Sequence, residues 1–362
     1  MLVQELEPLE REILVKAAIL APSMHNTQPW QFRFRQRSVE VHRDPARQLG
    51  AEDPDGRMTM IGVGAAIFNI RVAAASLGHK VTTRLSPHPE QGTLAAEVTI
   101  GPATSEAATS EAATGDPSTG DPSDVGQDPA DLFPYLSRRH TNRWPFSDRA
   151  VPGEVRDKLA EAAEREGARL EWVEDEERVR LLLGLARDAE VAEADDPRRW
   201  VERQQWVGGD RDRDGVPSSA LGPRPAEPSA ARDLAVDPRD QLRSSAHFEG
   251  RPAIAVLWTE RDDPQTWLLA GQALQRVLVA GTAHGLAASL VNEPIEHAEL
   301  GRVAHGPGEG WIEPQVVIRF GYGPEVAPTP RRPIEEFVLA DDQGAQGSGD
   351  EDASPSVPRQ GR

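Results

Sequence analysis

MTMIGVGAAIFNIRVAAASLG (Met58–Gly78) and TWLLAGQALQRVLVAGTAHG (Thr266–Gly285) are the two long apolar runs of the chain, and a shift of 207 residues lays one on the other. The shift places Gly64-Ala-Ala66 on Gly271-Gln-Ala273, Ile67 on Leu274, Ala73 on Ala280 and Gly78 on Gly285. Each run leads directly to a strand candidate, Val81–Leu85 and Ala287–Val291, and later to Val-x-Ile ahead of a glycine (Val98–Gly101, Val316–Gly321). The N-terminal helix ending in Ala17-Ala18 likewise matches Glu154–Ala163. Alanine-rich helices share such matches by chance. The agreement of several elements in the same order predicts a duplicated fold.

Before the first of these runs, Leu6, Leu9, Ile13, Leu14, Ala17 and Leu20 recur at helical spacing, which predicts an amphipathic helix over 5–20 ended by Pro22. Trp30-Gln-Phe-Arg-Phe and Val39-Glu-Val-His alternate with period two and predict a hairpin. A strand over 96–100 closes the first half. The second half is expected to open with an arginine-rich loop at 137–149 and a helix from Pro152 to Glu166, with proline at its first position. A short strand at 170–173, a helix over 176–192, a long Pro-, Gly- and Arg-rich stretch to about 245, a strand over 253–258 and one over 315–320 complete the prediction.

Charge restricts the functional classes. The 362 residues carry 40 Lys+Arg against 59 Asp+Glu, a formal net charge of −19. Duplex binding needs a basic footprint, so no nucleic-acid partner is expected. Residues 101–131 hold seven acids and no base, and 341–362 hold five acids and two arginines, so these two stretches supply −10 of the −19. The first is a pentad array (TSEAA, TSEAA, TGDPS, TGDPS from Thr104) without a large apolar residue, and it reads as an acidic low-complexity linker. The tail 341–362 reads as disordered by composition. The run Ile61–Gly78 is broken by Asn69, Arg71 and Ser76 and is judged short of a clean span of roughly 20 apolar residues, so no membrane association is expected. The acidic start MLVQELEPLERE is unlike a secretory signal, which makes a cytoplasmic location the default expectation. With no cysteine in the chain, thiolate metal sites, disulfides and cysteine nucleophiles are excluded.

Two stretches could carry chemistry. Ala21-Pro-Ser-Met-His-Asn-Thr-Gln-Pro-Trp30 falls between a helix end and a strand, where Ser23, Asn26 and Gln28 offer donors and acceptors suited to a heterocycle edge. The plainer alternative is a turn whose Ser23 and Asn26 satisfy backbone groups. Ser137-Arg-Arg-His-Thr-Asn-Arg-Trp-Pro-Phe146 concentrates three arginines, a histidine, a threonine and an asparagine, the makings of an anion site, since the arginine fork matches phosphate oxygens. Its alternative is an exposed basic loop paired with the acidic surface. Ser289-Leu-Val-Asn-Glu-Pro294 and Pro328-Thr-Pro-Arg-Arg-Pro333 are secondary candidates. Gly62-Val-Gly64 has two of the three dinucleotide glycines but lies within a helical pattern, and it is set aside. No HExxH, GxSxG or P-loop occurs, and no metal site is expected.

Together these stretches resemble the nitroreductase-like FMN flavoproteins, in particular the single-chain Acg-type branch, in which one polypeptide looks like a fused nitroreductase dimer. The resemblance covers roughly residues 8–340 apart from the linker, and it rests on APSxxNxQPW occurring together with an RxTxR loop. It implies an α+β fold of two halves, 1–100 and 132–340, with mostly antiparallel sheets flanked by helices around a pseudo-two-fold. Each half lacks the loop that the other retains, which implies one flavin site per chain and a monomer. By resemblance, Arg139 and Thr141 would hold the FMN phosphate, with His140 beside them and Arg331 and Arg332 as additions. Arg143 would sit at the N1/C2=O edge. Pro22, Ser23, Met24, Asn26 and Gln28 would meet the ring and ribityl chain, and Ser289, Leu290 and Asn292 the opposite edge. Within the irregular region 188–245, Asp214-Gly-Val-Pro-Ser-Ser-Ala-Leu-Gly-Pro223 resembles an Acg-type lid over the flavin.

The implied function is an FMN-dependent oxidoreductase drawing on NAD(P)H and reducing a small acceptor such as a nitroaromatic or quinone, with no side chain acting as catalyst. The alternatives are an FMN-sequestering protein with little turnover, or a flavin-free interaction protein.

Overall fold

In the computed structural model, residues 5–85, 92–103, 128–194, 196–227, 233–291 and 313–340 are described. Pro8 opens helix α1 (Pro8–Ala18), where its missing N–H costs nothing, and Glu10 Oε2 accepts the Glu7 N–H at 2.8 Å. A hairpin follows, β1 (Trp30–Arg35) and β2 (Ser38–Arg43), then the long helix α2 (Arg57–Ser76), whose first turn is capped by Asp53 through the Met58 and Thr59 N–H groups. Strands β3 (His79–Leu85) and β4 (Leu94–Ala103) complete a first antiparallel sheet of order β1-β2-β4-β3.

The second half repeats that plan. After a short helix α3 (Phe133–Leu136) come α4 (Gly153–Glu164) and β5 (Arg169–Val173). Helices α5 (Glu176–Ala194) and α6 (Pro197–Trp206) and a strap stapled by the short parallel pair β6 (Arg224–Pro225) and β7 (Ser245–Ala246) are then inserted. Strand β8 (Ala253–Thr259), the long helix α7 (Pro264–Ala283), β9 (Ala287–Leu290) and β10 (Glu313–Gly321) finish a second antiparallel sheet of order β5-β8-β10-β9. Position for position, the order of strands and long helix is that of the first sheet.

The core forms where α2 and α7 cross. Gly64 and Gly271 face each other there. A Cβ on Gly64 would collide with Leu268 O, and one on Gly271 with Ile61 O, so the backbones touch as only glycine permits. Beside the crossing, Gln275 Nε2 donates to Asn69 Oδ1 at 2.8 Å and Asn69 Nδ2 to Ala17 O at 2.9 Å. Glu166, after α4, takes ion pairs from the buried Arg276 (2.9 Å) and from Arg71 (2.5 Å). Phe68, Ile67, Trp30, Phe32, Leu274 and Phe320 fill the apolar volume between the sheets. In length and apolarity α2 would suffice to cross a bilayer, so the sequence judgement on that run is too strict, yet the helix is enclosed by protein.

Several expectations shift. Leu9, placed on the apolar stripe of the first helix, is 66% exposed, because α1 buries the face of Leu14, Val15, Ala17 and Ala18. Pro152 caps α4 from outside rather than starting it. The region 188–245 contains a helix the sequence reading missed, α6, started by Asp196 accepting the Arg198 N–H at 2.9 Å. Most of the pentad linker, Asn292 and the tail 341–362 fall outside the described residues. Finally, the segment after β10 crosses to the first sheet. Phe32 N–H donates to Phe337 O and Leu339 N–H to Phe32 O, both at 2.7 Å, so this C-terminal arm extends the β1 edge.

Candidate functional site

The loop after α1 is held in an unusual backbone shape. His25, Asn26 and Gln28 all have positive φ (46°, 56° and 53°), which costs a non-glycine residue on the order of 1–3 kcal/mol and persists only where surroundings enforce it. Ser23 Oγ accepts the Gln28 N–H at 2.9 Å, and Gly62 of α2 lets Ser23 approach that helix closely. His25 is buried against Glu52, whose other oxygen accepts from Arg203 Nε of α6 at 2.8 Å. Pro22, Ser23 and Met24 remain half-buried at the loop surface. The carboxamides of Asn26 and Gln28 are instead engaged by the chain itself. Asn26 Nδ2 donates to Gly215 O (3.0 Å) and Pro330 O (2.9 Å), and its Oδ1 accepts from Arg331 Nη1 (3.0 Å). Gln28 Nε2 donates to Arg213 O (3.0 Å), while its Oε1 accepts the Arg332 N–H (3.1 Å).

Against this loop lie the arginines. Arg139 Nη2 and Arg331 Nη2 both donate to Leu20 O, at 3.1 and 3.4 Å, and Arg331 also reaches Ile19 O and Ala21 O. Arg139 is buried and Arg331 half-buried, and among the described residues neither has a carboxylate partner and Arg139 Nε has no hydrogen-bond partner. Burial without a counter-charge pushes the Arg139 guanidinium down to about 10, and burial plus Arg139 pushes Arg331 down to about 9. His140 is driven down to about 4 by burial, then by Arg139 and Arg331, so its ring is neutral near pH 7. Arg332 lies over the Phe337 ring at 4.3 Å and donates to Gln28 O at 3.0 Å.

The rest of the basic loop is fixed by the second sheet. Thr141 bridges to Ala288 of β9, and the Asn142 N–H donates to Ala288 O at 2.8 Å. His140 and Asn142 turn to a cavity of about 370 Å³ shared with Thr282, Leu286 and Glu325. Ser289 and Leu290 take opposite faces of β9: Ser289 Oγ accepts from Arg319 Nη1 at 3.3 Å, while Leu290 packs on the main core. Arg319 is a positioning residue that the sequence reading missed. Fully buried, it lies 3.7 Å from the Phe146 ring centroid, pairs with Glu249 (2.5 and 2.7 Å) and donates to Trp144 O, pinning the loop that carries Arg143. A lone arginine inside Val-Val-Ile-Arg-Phe was the available signal, since a charge in an apolar strand needs a partner.

Above both loops runs the strap. Asp214 pairs with Arg47 at 2.6 Å, and Gly215 N–H donates to Asn26 O at 3.3 Å. Further on, Ala220 O accepts from Arg143 Nη1 at 3.3 Å, and Gly222 (φ 72°) lies so close to Arg143 O that a Cβ would clash at 2.6 Å. The segment 213–222 therefore joins Asn26 and Gln28 at one end to Arg143 at the other.

Fold and site define an α+β protein whose arginine-lined centre is flanked by two loops and crossed by a strap. No family model matches the chain. It is 31% identical over 330 residues to a Mycobacterium tuberculosis protein named "Putative NAD(P)H nitroreductase Rv3131", covering 89% of this chain and 88% of that one. It is 27% identical over 329 residues to "Putative NAD(P)H nitroreductase acg" of the same organism, covering 89% and 93%. Among solved structures, a nitroreductase with bound FMN from Desulfitobacterium hafniense aligns over 58% of this chain and 98% of its own, with 13% identity and a TM-score of 0.36, too low to bear on the site. The chain belongs to the family of these NAD(P)H nitroreductase-like proteins.

Proposed function

We propose that the protein is an FMN-dependent oxidoreductase that accepts reducing equivalents from NAD(P)H and passes them to a small acceptor such as a nitroaromatic or quinone. The observation that carries this reading is the adjacent pair Arg139, buried, and Arg331, half-buried: two cations with no carboxylate partner among the described residues, and with the Arg139 Nε–H unpartnered among them. Buried charge is costly unless paired, and the phosphate of FMN is an anion that fits this pair. The names of the relatives supply the reaction class.

Arg139, Arg331 and Thr141 would hold the phosphate. Arg143 would bring positive charge to the ring, while Pro22, Ser23 and Met24 form the opposing wall. FMN supplies, when bound, the one- and two-electron transfer that no side chain here can perform. The strap would exclude water from this centre and limit what reaches it. Supporting the fused-dimer reading are the matched strand orders and the Gly64–Gly271 crossing, at the positions the 207-residue shift equates. On that reading there is one flavin per chain.

The second reading, FMN sequestration with little turnover, is favoured by the strap's ties to both loops. The test is to add FMN, desalt and record the visible spectrum beside Arg139→Ala and Arg331→Ala. Loss of charge-assisted bonds of about 1.5–3 kcal/mol each should weaken retention roughly 10- to 100-fold. Equal retention in the variants would sink the site, and anaerobic NADPH then separates turnover (rapid bleaching) from storage (persistent oxidised flavin).

A further inference from the structure

We propose that Gln28, assisted by Asn26, is a positioning residue that couples closure of the strap to the geometry of the Arg139–Arg331 pair. The inference rests on the anion site proposed above, but its first half stands on contacts alone. Gln28 is fully buried, and its carboxamide is divided between two distant segments: Nε2 holds the strap at Arg213 O, and Oε1 holds the C-terminal arm at the Arg332 N–H. Asn26 repeats the arrangement one step away, with Nδ2 on Gly215 O of the strap and Pro330 O of the arm, and Oδ1 on the Arg331 guanidinium itself.

The consequence is physical. Three segments that are far apart in sequence, 26–28, 213–215 and 329–332, are joined through these two side chains, through the Gly215 N–H to Asn26 O and Arg332 Nη2 to Gln28 O hydrogen bonds, and through two ion pairs. Of the ion pairs, Arg213–Glu336 is exposed enough for screening to weaken it, while Arg47–Asp214 is half-buried. A buried carboxamide that loses one partner keeps the cost of the unsatisfied group, so the strap and arm contacts are favoured together. When the strap lifts, Gln28 and Asn26 lose their acceptors, and the arm residue beside them, Arg331, loses the frame that aims it at Leu20. Linkage makes the effect reciprocal: an anion that fixes Arg331 must also favour the closed strap.

The test is hydrogen–deuterium exchange of peptides covering 208–223, with and without inorganic phosphate, on the full chain and on Gln28→Glu. Glutamate keeps an acceptor for the Arg332 N–H and loses the donations to Arg213 O and Asn26 O, so it cuts the strap contact while sparing the arm contact. We expect strap exchange to rise several-fold in Gln28→Glu, and phosphate to slow it in the wild type but not in the variant. Unchanged strap exchange in a folded Gln28→Glu overturns the proposal. Should that variant not fold, Asn26→Asp, which keeps Oδ1 for Arg331 and loses the donations to Gly215 and Pro330, serves in its place with the same expected and contrary results. Faster strap exchange together with a wild type that ignores both phosphate and FMN would remove the anion site and the coupling, leaving Gln28 as a strap anchor only.

Discussion

Leu20 O accepts from two guanidinium groups with no carboxylate among their described partners, and the residue-scale behaviour of the site follows from that crowding. His140, next to both arginines, stays neutral down to about 4, whereas an unfolded histidine protonates near 6.5. Between those values the unfolded state binds the extra proton, so stability falls as pH drops through the window. His140→Gln should therefore lose less melting temperature than the wild type between about pH 7 and about pH 5. A bound phosphate beside the ring should also raise the His140 titration seen by NMR. Equal acid losses in wild type and variant would show that the ring is not held as described. Residue types at this site were legible in sequence, because Arg139, Thr141 and Arg143 form a recognisable spacing. Their partners were not. Asn26 and Gln28, expected to face a heterocycle, give their amides to the strap and arm, whose approach no local pattern encodes.

Among the elements, the α2–α7 crossing and the strap make the sharpest predictions. Gly64→Ala or Gly271→Ala places a methyl against carbonyl oxygen and should cost about 3 kcal/mol, a melting-temperature drop of several degrees. A melting temperature equal to the wild type would mean that the helices do not cross at these glycines. Deleting 214–223 removes the contacts with Asn26 and Arg143, and anaerobic reduction of bound flavin by NADPH should speed up; an unchanged rate would discard the strap as a barrier. Helices and strands with clean periodicity were placed within a few residues from sequence. Helix α6 was not, because its arginine-rich PRRWVERQQW reads as loop until Glu202 and Arg203 are seen docking on Ala51 and Glu52.

For the whole molecule, the fused-halves reading predicts a monomer. Light scattering should return the chain mass of 39.4 kDa, and an obligate dimer would count against it, since α2 and α7 already bury one another. Periodicity, glycine placement and arginine spacing are local properties, so the long helices, most strands and the arginine-rich loop were legible along the chain. Only the tertiary structure decided that the arm after β10 crosses to the first sheet, that Arg331 meets Arg139 at Leu20, and that the strap spans Asn26 to Arg143. Those contacts join residues as far as 311 positions apart. They depend on how two sheets and two long helices pack, and no window along the chain contains that information.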